Sequence, residues 1–316
     1  MPAFTAAAPG KIILAGEHAV VYGQPALAVP VFKVQARAVV QANPTAETDR
    51  VMIYAPGIAL ESSLDDLDAD HPLARVINLV KEELTVPRLP ALTLRIASDI
   101  PIAAGLGSSA AVSAAVVRAL SGFLGCRLSD ERVSALTYQA EKIHHGSPSG
   151  IDNTVIAYQR PVYYRQGTPV EPFEIPEPFT LVIGDTGVPS LTSETVGAVR
   201  RGWKNNPERY RTLFDQIGEL VRSVKKHLMK GDLSRVGPLL TENHTLLKDL
   251  GVSTPELDRL VEAAVEAGAL GAKLSGGGGG GNMIALIKSR QGKHISQALL
   301  EAGAAGTLIS EVSNQN

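Results

Sequence analysis

The stretch Pro101–Ala111 reads PIAAGLGSSAA, and its residues are typical of a loop that leads into the first turn of a helix. Gly105 and Gly107 permit backbone conformations that other residues rarely adopt, and small apolar residues follow Ser108 and Ser109. The segment GLGSSA also satisfies the loose dinucleotide-binding pattern G-x-G-x-x-G/A. The fold therefore depends on which anion, if any, this loop holds.

The surroundings of the loop argue against a dinucleotide-binding fold. That fold needs a buried parallel strand before the glycines and a second strand after the helix. Here Leu92–Ile96 alternates apolar and polar residues, which is the period of a strand with one buried face. The helix predicted over Ser109–Leu124 is followed by another helix after Ser129, a candidate N-cap. The P-loop pattern G-x-x-x-x-G-K-[ST] is absent from the sequence, which excludes an ordinary P-loop.

A more general anion site is compatible with this loop. Gly105 and Gly107 would let backbone N–H groups approach a ligand, and the start of the following helix carries a partial positive charge. Ser108 and Ser109 would add hydroxyl groups for phosphate or Mg²⁺. From these residues alone, a tight turn capped by serines is an equally good interpretation.

Composition excludes several function classes. The 316 residues are 44% hydrophobic and 20% charged, as in ordinary globular proteins, and the formal net charge is -2. No global basic field is available to recruit nucleic acid or an anionic membrane surface, so any phosphate site must be local. No stretch approaches the ~20 apolar residues that span a bilayer, and the N-terminus lacks the pattern of a signal peptide. We expect neither nucleic acid nor a membrane as a partner.

The cysteine count points to a reducing compartment. Cys126 is the only cysteine in the sequence, which excludes an internal disulfide framework and a cysteine-rich metal site. We therefore expect a cytoplasmic protein.

Local signals predict several strand and helix positions. Lys11–Ala15 and Val29–Gln41 are rich in β-branched residues and predict strands, and Phe179–Ile183 is a short apolar run. Asn206 and Thr254 each precede a proline, which places a capping side chain before a proline at the first helical position. Helices are predicted to begin at both places.

A change in amino-acid composition suggests a domain boundary. Residues 166–179 contain four prolines between a tyrosine-containing strand and an apolar run. Such proline-rich segments are common between domains. We place the boundary near residue 175, which gives domains over residues 1–174 and 175–316.

A second cluster of polar residues lies in Ala140–Val155, which reads AEKIHHGSPSGIDNTV. Glu141 at the end of a helix and Asp152 beyond a turn could converge on one site, where one holds a metal and the other accepts a proton. A solvated helical acid and a turn-capping aspartate are the alternatives for these two residues. His144 and His145 are adjacent and point different ways, which argues against a chelating pair.

Two further segments carry candidate ligand contacts. The N-terminal segment APGKIILAGEHAVVYG contains Lys11, Glu17 and His18. The run Gly276–Gly281 lies between a predicted helix and an apolar strand, where a flexible linker is unexpected. Six glycines there suggest that backbone approaches a ligand or the loop at Gly105.

Together the segments APGKIILAGEHAVVYG, PIAAGLGSSAA, EKIHHGSPSGIDN and AKLSGGGGGG resemble, in order and spacing, the galactokinase, homoserine kinase, mevalonate kinase and phosphomevalonate kinase (GHMP) superfamily. The resemblance covers nearly the whole chain and is strongest to the mevalonate kinase branch, through GEHAVVYG and HGSPSGIDN. It implies an α+β fold of two domains, the first similar to ribosomal protein S5 domain 2 with a left-handed β-α-β arrangement and the second ferredoxin-like. It leaves a homodimer open.

The resemblance implies a reaction and a role for each matching residue. The γ-phosphoryl group of ATP would pass to the 5-hydroxyl of mevalonate, with Asp152 as proton acceptor and Lys11 beside it. Ser109 and Glu141 match the Mg²⁺ ligands of the family. The residues that match substrate contacts are Glu17, His18 and Thr186. The residues that match the ATP-binding loops are Pro101, Ala104, Gly105, Leu106, Gly107, Ser108, Ser109, Ala110, Gly277 and Gly278.

One departure from the family pattern concerns the last motif. Relatives carry an alanine or serine among these glycines, whereas Gly276–Gly281 is uninterrupted and followed by Asn282. We expect this to loosen the loop. The alternatives to a mevalonate kinase are a sister kinase acting on phosphomevalonate or a sugar, a nucleotide-binding sensor without catalysis, and an ATP-dependent decarboxylase.

Overall fold

The computed structural model describes residues 3–46, 50–101, 105–145, 148–190, 192–288 and 290–314, and only the backbone of residues 143–145. The chain divides into two compact units that alternate along the sequence. The first unit comprises Met1–Gly10, Val34–Ile100 and Gly107–Gln159. The second comprises Lys11–Lys33, Pro101–Leu106 and Arg160–Asn316.

The described ranges contain strands and helices in a mixed order. The strands are β1 (Ala3–Ala15), β2 (Ala26–Ala42), β3 (Val51–Ala55), β4 (Leu60–Ser63), β5 (Leu92–Ser98), β6 (Val162–Tyr164), β7 (Glu171–Pro172), β8 (Phe179–Asp185), β9 (Gly271–Ser275), β10 (Asn282–Ile287) and β11 (Gly306–Val312). The α-helices are α1 (Pro72–Glu83), α2 (Ser108–Phe123), α3 (Asp130–His145), α4 (Ile151–Tyr158), α5 (Thr192–Asn205), α6 (Pro207–Leu228), α7 (Leu233–Asp249), α8 (Pro255–Glu266) and α9 (Gly292–Glu301).

The first unit places a bundle of helices beside a mixed sheet. In its sheet, β3 pairs with β4 antiparallel and with β5 parallel, and the C-terminal half of β2 pairs with β5 antiparallel. Leu92, Leu94 and Ile96 of β5 are buried, so the predicted alternation is confirmed. Helix α2 contacts α1, α3 and α4, and its small side chains are buried around most of its circumference. Small residues let neighbouring helices approach closely, which accounts for the alanine-rich sequence after the loop.

The second unit contains an antiparallel sheet in the order β11-β8-β10-β9. Helices α5–α8 lie between β8 and β9 in the sequence, and α9 lies between β10 and β11. This is the β-α-β-β-α-β order of a ferredoxin-like fold, so the predicted arrangement is confirmed. Every residue of Asn282–Ile287 is buried, as expected for a strand inside the sheet.

The predicted helix starts are confirmed by their capping bonds. The Asn206 side chain accepts a hydrogen bond from the backbone N–H of Arg209 at 3.3 Å, and Thr254 Oγ1 accepts one from Leu257 at 3.3 Å. The predicted strands lie where the structure has strands, but they were predicted too short. The strand predicted to begin at Lys11, for example, begins at Ala3. The boundary near residue 175 stays a prediction. None of the described helices combines the length and the apolar character that a membrane span requires.

The edge of β9 that pairs with no other strand of its sheet is covered by side chains of α7. The backbone N–H of Ala272 donates to Thr241 Oγ1 at 3.2 Å, and that of Leu274 donates to His244 Nδ1 at 3.3 Å. Because Nδ1 of His244 accepts, Nε2 carries the proton and donates to Asp258 Oδ1 at 3.1 Å. Two N–H groups that an edge strand leaves unpaired are thus satisfied within the unit.

We expect His244 to make the folded protein sensitive to acid. Burial lowers the pKa of His244 from 6.5 to about 4, with Lys273 acting in the same direction and Asp258 opposing. The unfolded chain therefore binds a proton that the folded chain excludes, and stability is lost as the pH falls from 6.5 towards 4, by about 1.4 kcal/mol per pH unit for one proton. In His244→Asn the amide oxygen replaces Nδ1 as acceptor without titrating, so urea unfolding should depend less on pH over this range.

The same change at the exposed His294 serves as the control. An equal pH dependence of the unfolding free energy in His244→Asn and in the wild type would contradict the assignment.

Candidate active site

Lys11 is buried in the second unit by its place on β1. The residue is 3% exposed, and its backbone N–H donates to the carbonyl oxygen of Leu106 at 2.9 Å. Two residues further along, the carbonyl of Ile13 accepts a hydrogen bond from Ser275 Oγ at 3.1 Å. The end of β1 therefore lies between the Gly105–Leu106 loop and the end of β9, and Lys11 is not a surface lysine.

Glu17 and His18 lie in a tight turn after β1. Gly16 adopts φ 101°, and a Cβ there would lie 2.6 Å from the Cα of Ala26 and from the carbonyl oxygen of Pro25, so only glycine fits. His18 has φ 60°, which is a strained value for a residue with a side chain. The turn is thus held in a conformation that the surrounding structure must impose.

The side chain of His18 bonds to the glycine run. Its Nε2 lies 2.9 Å from the carbonyl oxygen of Gly277, which accepts, so Nε2 carries the proton. Burial lowers the pKa of His18 from 6.5 to about 4, with the charge of Lys273 adding to the effect and the bond to Gly277 opposing it. His18 is therefore a neutral hydrogen-bond donor at physiological pH.

Glu17 forms a buried ion pair with Lys273 of β9. The two side chains are 1% and 0% exposed, and the ammonium group donates to Glu17 Oε1 and to the backbone carbonyl of Leu274. Burial raises the pKa of Glu17 and lowers that of Lys273, while their mutual attraction opposes both shifts. Sequence reasoning gave Lys273 no role; the available signal was a single charge inside the small and apolar strand GAKLS.

The glycine run is fixed in place. The carbonyls of Gly277, Gly278 and Gly281 accept from His18, Ser190 Oγ (2.8 Å) and Thr186 Oγ1 (2.8 Å), respectively. The expectation of a loose loop was wrong, because side chains and backbone from distant segments bind it along its length.

Backbone donors of the run are bound as well. The N–H of Gly279 donates to the Val252 carbonyl at 2.9 Å, and that of Gly281 donates to the Val188 carbonyl at 2.7 Å. A Cβ at Gly278 would lie 2.1 Å from the same Val252 oxygen. A Cβ at Gly280 would lie 2.6 Å from the Val188 oxygen, so at both positions neighbouring backbone comes closer than a side chain allows.

Thr186 supports the glycine run from the end of β8. It is 9% exposed, and both its hydroxyl and its backbone N–H donate to the carbonyl of Gly281, at 2.8 and 2.9 Å. The predicted substrate residues Glu17, His18 and Thr186 thus all lie in the second unit, buried, with partners in the β9–glycine segment.

The first unit holds the predicted metal ligands side by side. Gly107 adopts φ 76° at the N-cap of α2, and Ser109 lies in the first turn. Ser109 Oγ donates to Glu141 Oε1 of α3 at 2.6 Å. Glu141 is 7% exposed, which excludes the alternative of a solvated helical acid. A hydroxyl and a carboxylate oxygen are the kind of hard ligands that Mg²⁺ prefers.

Asp152 lies in the first turn of α4, half-buried. Its neighbours are anchored: Asn153 Nδ2 donates to Ser134 Oγ at 2.9 Å, and Thr154 Oγ1 donates to the Gly150 carbonyl at 2.6 Å. The helix N-terminus favours a negative charge at this position. Asp152 is therefore a carboxylate on a rigid support, with part of its surface open.

The other residues predicted for the ATP-binding loop differ in their exposure to solvent. Pro101 is exposed, Leu106 and Ala110 are buried, and Ala104 lies outside the described residues. In the ranges that the structure describes, no three or more His, Cys, Asp or Glu side chains cluster as a metal site. Mg²⁺ in phosphoryl-transfer enzymes needs only one or two carboxylates besides the phosphates, so Ser109 and Glu141 still fit it.

Comparison with known proteins identifies close relatives. The model of the GHMP kinases N terminal domain matches residues 72–160, and that of the GHMP kinases C terminal domain matches residues 215–305. A mevalonate kinase of Pyrococcus horikoshii is 37% identical over 98% of this chain and 96% of its own length. The crystal structure of L. major mevalonate kinase in complex with R-mevalonate is 30% identical, with a TM-score of 0.85 over 98% of this chain and 95% of that chain. The crystal structure of the Methanococcus jannaschii mevalonate kinase is 26% identical, with a TM-score of 0.84 over 100% of this chain and 99% of that chain.

We expect Gly277→Ala to destabilise the protein through a clash with Thr192. Gly277 is outside the left-handed region, so its backbone accepts alanine, but the new Cβ would lie 2.7 Å from Thr192 Oγ1 and 3.0 Å from Cγ2. Overpacking of this kind costs about 1–3 kcal/mol. Thr192→Ala removes both atoms and leaves only the contact with the Thr192 Cα at 3.1 Å, so the double variant should recover part of the loss in urea unfolding.

The control is Gly278→Ala, where the obstacles are the Val252 carbonyl and the left-handed backbone at φ 71°. Thr192→Ala should not relieve that variant, and failure to relieve Gly277→Ala would refute the clash.

Proposed function

Because the chain belongs to the GHMP kinase family, we propose that it is a mevalonate kinase, which transfers the γ-phosphoryl group of ATP to the 5-hydroxyl of mevalonate. The observation that carries the proposal is the nearly full-length similarity to curated mevalonate kinases. The structural relative from L. major holds R-mevalonate, which supports this substrate over phosphomevalonate or a sugar.

We assign the proton transfer to Asp152. As the hydroxyl oxygen of mevalonate forms its bond to the γ-phosphorus, the bond from that phosphorus to the ADP oxygen breaks, and the hydroxyl proton passes to the Asp152 carboxylate. The half-buried position at a helix start keeps this carboxylate both accessible and favourably charged. Lys11 is assigned to stabilise negative charge during the transfer.

We assign nucleotide binding to the loop at Gly105–Ser109 and to the glycine run. The N-terminus of α2 offers N–H groups and a partial positive charge to the phosphates. Because the glycine run is held by bonds from several segments, little ordering would accompany binding, which favours affinity.

Ser109 and Glu141 would hold Mg²⁺. Their oxygens already lie 2.6 Å apart, one a hydroxyl and one a carboxylate. When bound, the ion supplies charge neutralisation for the phosphate oxygens. The contribution of the chain is to hold the two ligands together between α2 and α3.

The contacts of Glu17, His18 and Thr186 with substrate stay predictions. Each of these side chains already bonds to the β9–glycine segment, so we propose that they shape the wall of the site more than they form hydrogen bonds with mevalonate. A cytoplasmic location and a homodimer also stay predictions from the sequence and its resemblance.

An assay of substrate choice tests the function. We expect the purified full-length protein to release ADP from ATP with mevalonate, to yield 5-phosphomevalonate by mass spectrometry, and to lose turnover when EDTA removes Mg²⁺. Phosphomevalonate and galactose should give no turnover. Activity with either of these and none with mevalonate would assign the chain to a sister kinase, and loss of CO₂ from the product would reveal a decarboxylase.

We expect Asp152→Ala to lower kcat by several orders of magnitude. The residue is assigned to the acceptor hydroxyl, so the Kd for ATP, measured by calorimetry, should stay nearly unchanged. Glu131→Gln, in the first turn of α3, is the control for losing an acid at a helix start. Turnover in Asp152→Ala close to that of the wild type would remove the assignment of the base.

A further inference from the structure

The Glu17–Lys273 pair is unusual for its burial. Both side chains are essentially closed to solvent inside the second unit, in and beside a strand whose other residues are small or apolar. The desolvation free energy of two buried charges commonly exceeds the free energy that their attraction contributes. A protein with apolar residues of similar volume at these positions would often be as stable. The pair is therefore better explained by the geometry that it imposes than by stability.

The pair secures one side of a strained turn. His18 has φ 60°, and a residue with a side chain persists in such a conformation only where contacts over-determine it. Glu17, which precedes it, is bound by Lys273, and His18 is bound by the carbonyl of Gly277. Both anchors come from one continuous segment, β9 and the glycine run.

The ammonium group is itself fixed. Lys273 donates to the carbonyl of Leu274 as well as to Glu17, which limits its rotation. It thereby holds Glu17 by one carboxylate oxygen, while the second, Oε2, is buried without a hydrogen-bond partner among the described residues. The backbone N–H groups of Glu17 and Gly276 face this carboxylate and, like Lys273, favour its charged form.

Charge adds a second consequence. Mevalonate carries a carboxylate and ATP carries phosphates, so an unneutralised Glu17 near them would repel both. Among the described residues, Lys273 is the charged group that acts on both Glu17 and His18, and His244 of α7 is a further titratable group that Lys273 influences. Lys273 therefore cancels the local charge of Glu17.

We propose that Lys273 is a positioning residue for phosphoryl transfer, which acts through Glu17 to hold the Gly16–His18 turn against the glycine run. The proposal rests on the proposed kinase function. It makes Lys273 necessary for turnover even where it is not necessary for folding.

The test compares Lys273→Met, Glu17→Gln and the double variant in the full-length protein. Lys273→Met leaves a buried carboxylate without a counter-charge, so Tm should fall and Glu17 should hold its proton to higher pH. We expect the acid limb of kcat/KM for mevalonate to move up by about one pH unit or more, a tenfold change in protonation. The double variant should regain most of the lost Tm but leave kcat/KM at least about tenfold below that of the wild type.

The control is Lys225→Met, which removes a cation paired with Glu171 at the surface of the same unit. It should leave the kinetic constants and their pH profile as in the wild type.

Three outcomes overturn the proposal. In the first, Lys273→Met keeps the wild-type acid limb and loses activity only in proportion to the unfolded fraction. In the second, the double variant turns over like the wild type. In the third, neither Lys273→Met nor the double variant folds, which would make the pair a folding requirement. A wild-type protein without activity on mevalonate would instead reject the proposed function, while the Tm values of the four proteins still measure the coupling of the pair.

Discussion

The close approach of α7 to β9 is the constraint on which the second unit depends. A Cβ at Gly271 would lie 1.8 Å from the carbonyl oxygen of Gly237, and one at Gly237 would lie 2.1 Å from the carbonyl oxygen of Leu270. No side chain fits at either position, so helix and strand backbones touch directly. This proximity lets Thr241 and His244 reach the N–H groups of the edge strand, which longer separation would leave to solvent or to another chain.

The contacts of β9 and of the glycine run that follows it hold several other segments of the second unit. β9 carries Lys273 towards the Gly16–His18 turn and ends at Ser275, which bonds to β1. Of the six glycines that follow, three accept bonds, from His18, Ser190 and Thr186. A glycine-rich loop alone would be costly to order on ligand binding. In this unit the glycine run loses that conformational entropy during folding, because it lies between segments that pack together.

Local chemistry made part of this structure predictable. The helices at Asn206 and Thr254 begin where a capping side chain meets a proline, a choice made within four residues. The glycines and serines before α2 likewise predicted a loop that leads into a helix, and α2 begins at Ser108. The pairing of Glu17 with Lys273 was not, because 256 residues separate them and only the assembled sheet brings them together. The glycine run was misjudged for the same reason, since its partners Val188 and Val252 are distant in sequence.

Three carboxylates that the sequence presents alike acquire different chemistry from their surroundings. Glu17 is buried against the ammonium group of Lys273, which neutralises its charge. Glu141 is buried against the hydroxyl of Ser109, and a hydroxyl beside a carboxylate suits the proposed role in holding a divalent cation. Asp152 is half-buried in the first turn of a helix, a setting that agrees with the proposed role as proton acceptor. Because burial and neighbours differ, the same functional group has a different setting at each of these positions, and Asp152 is the most open of the three.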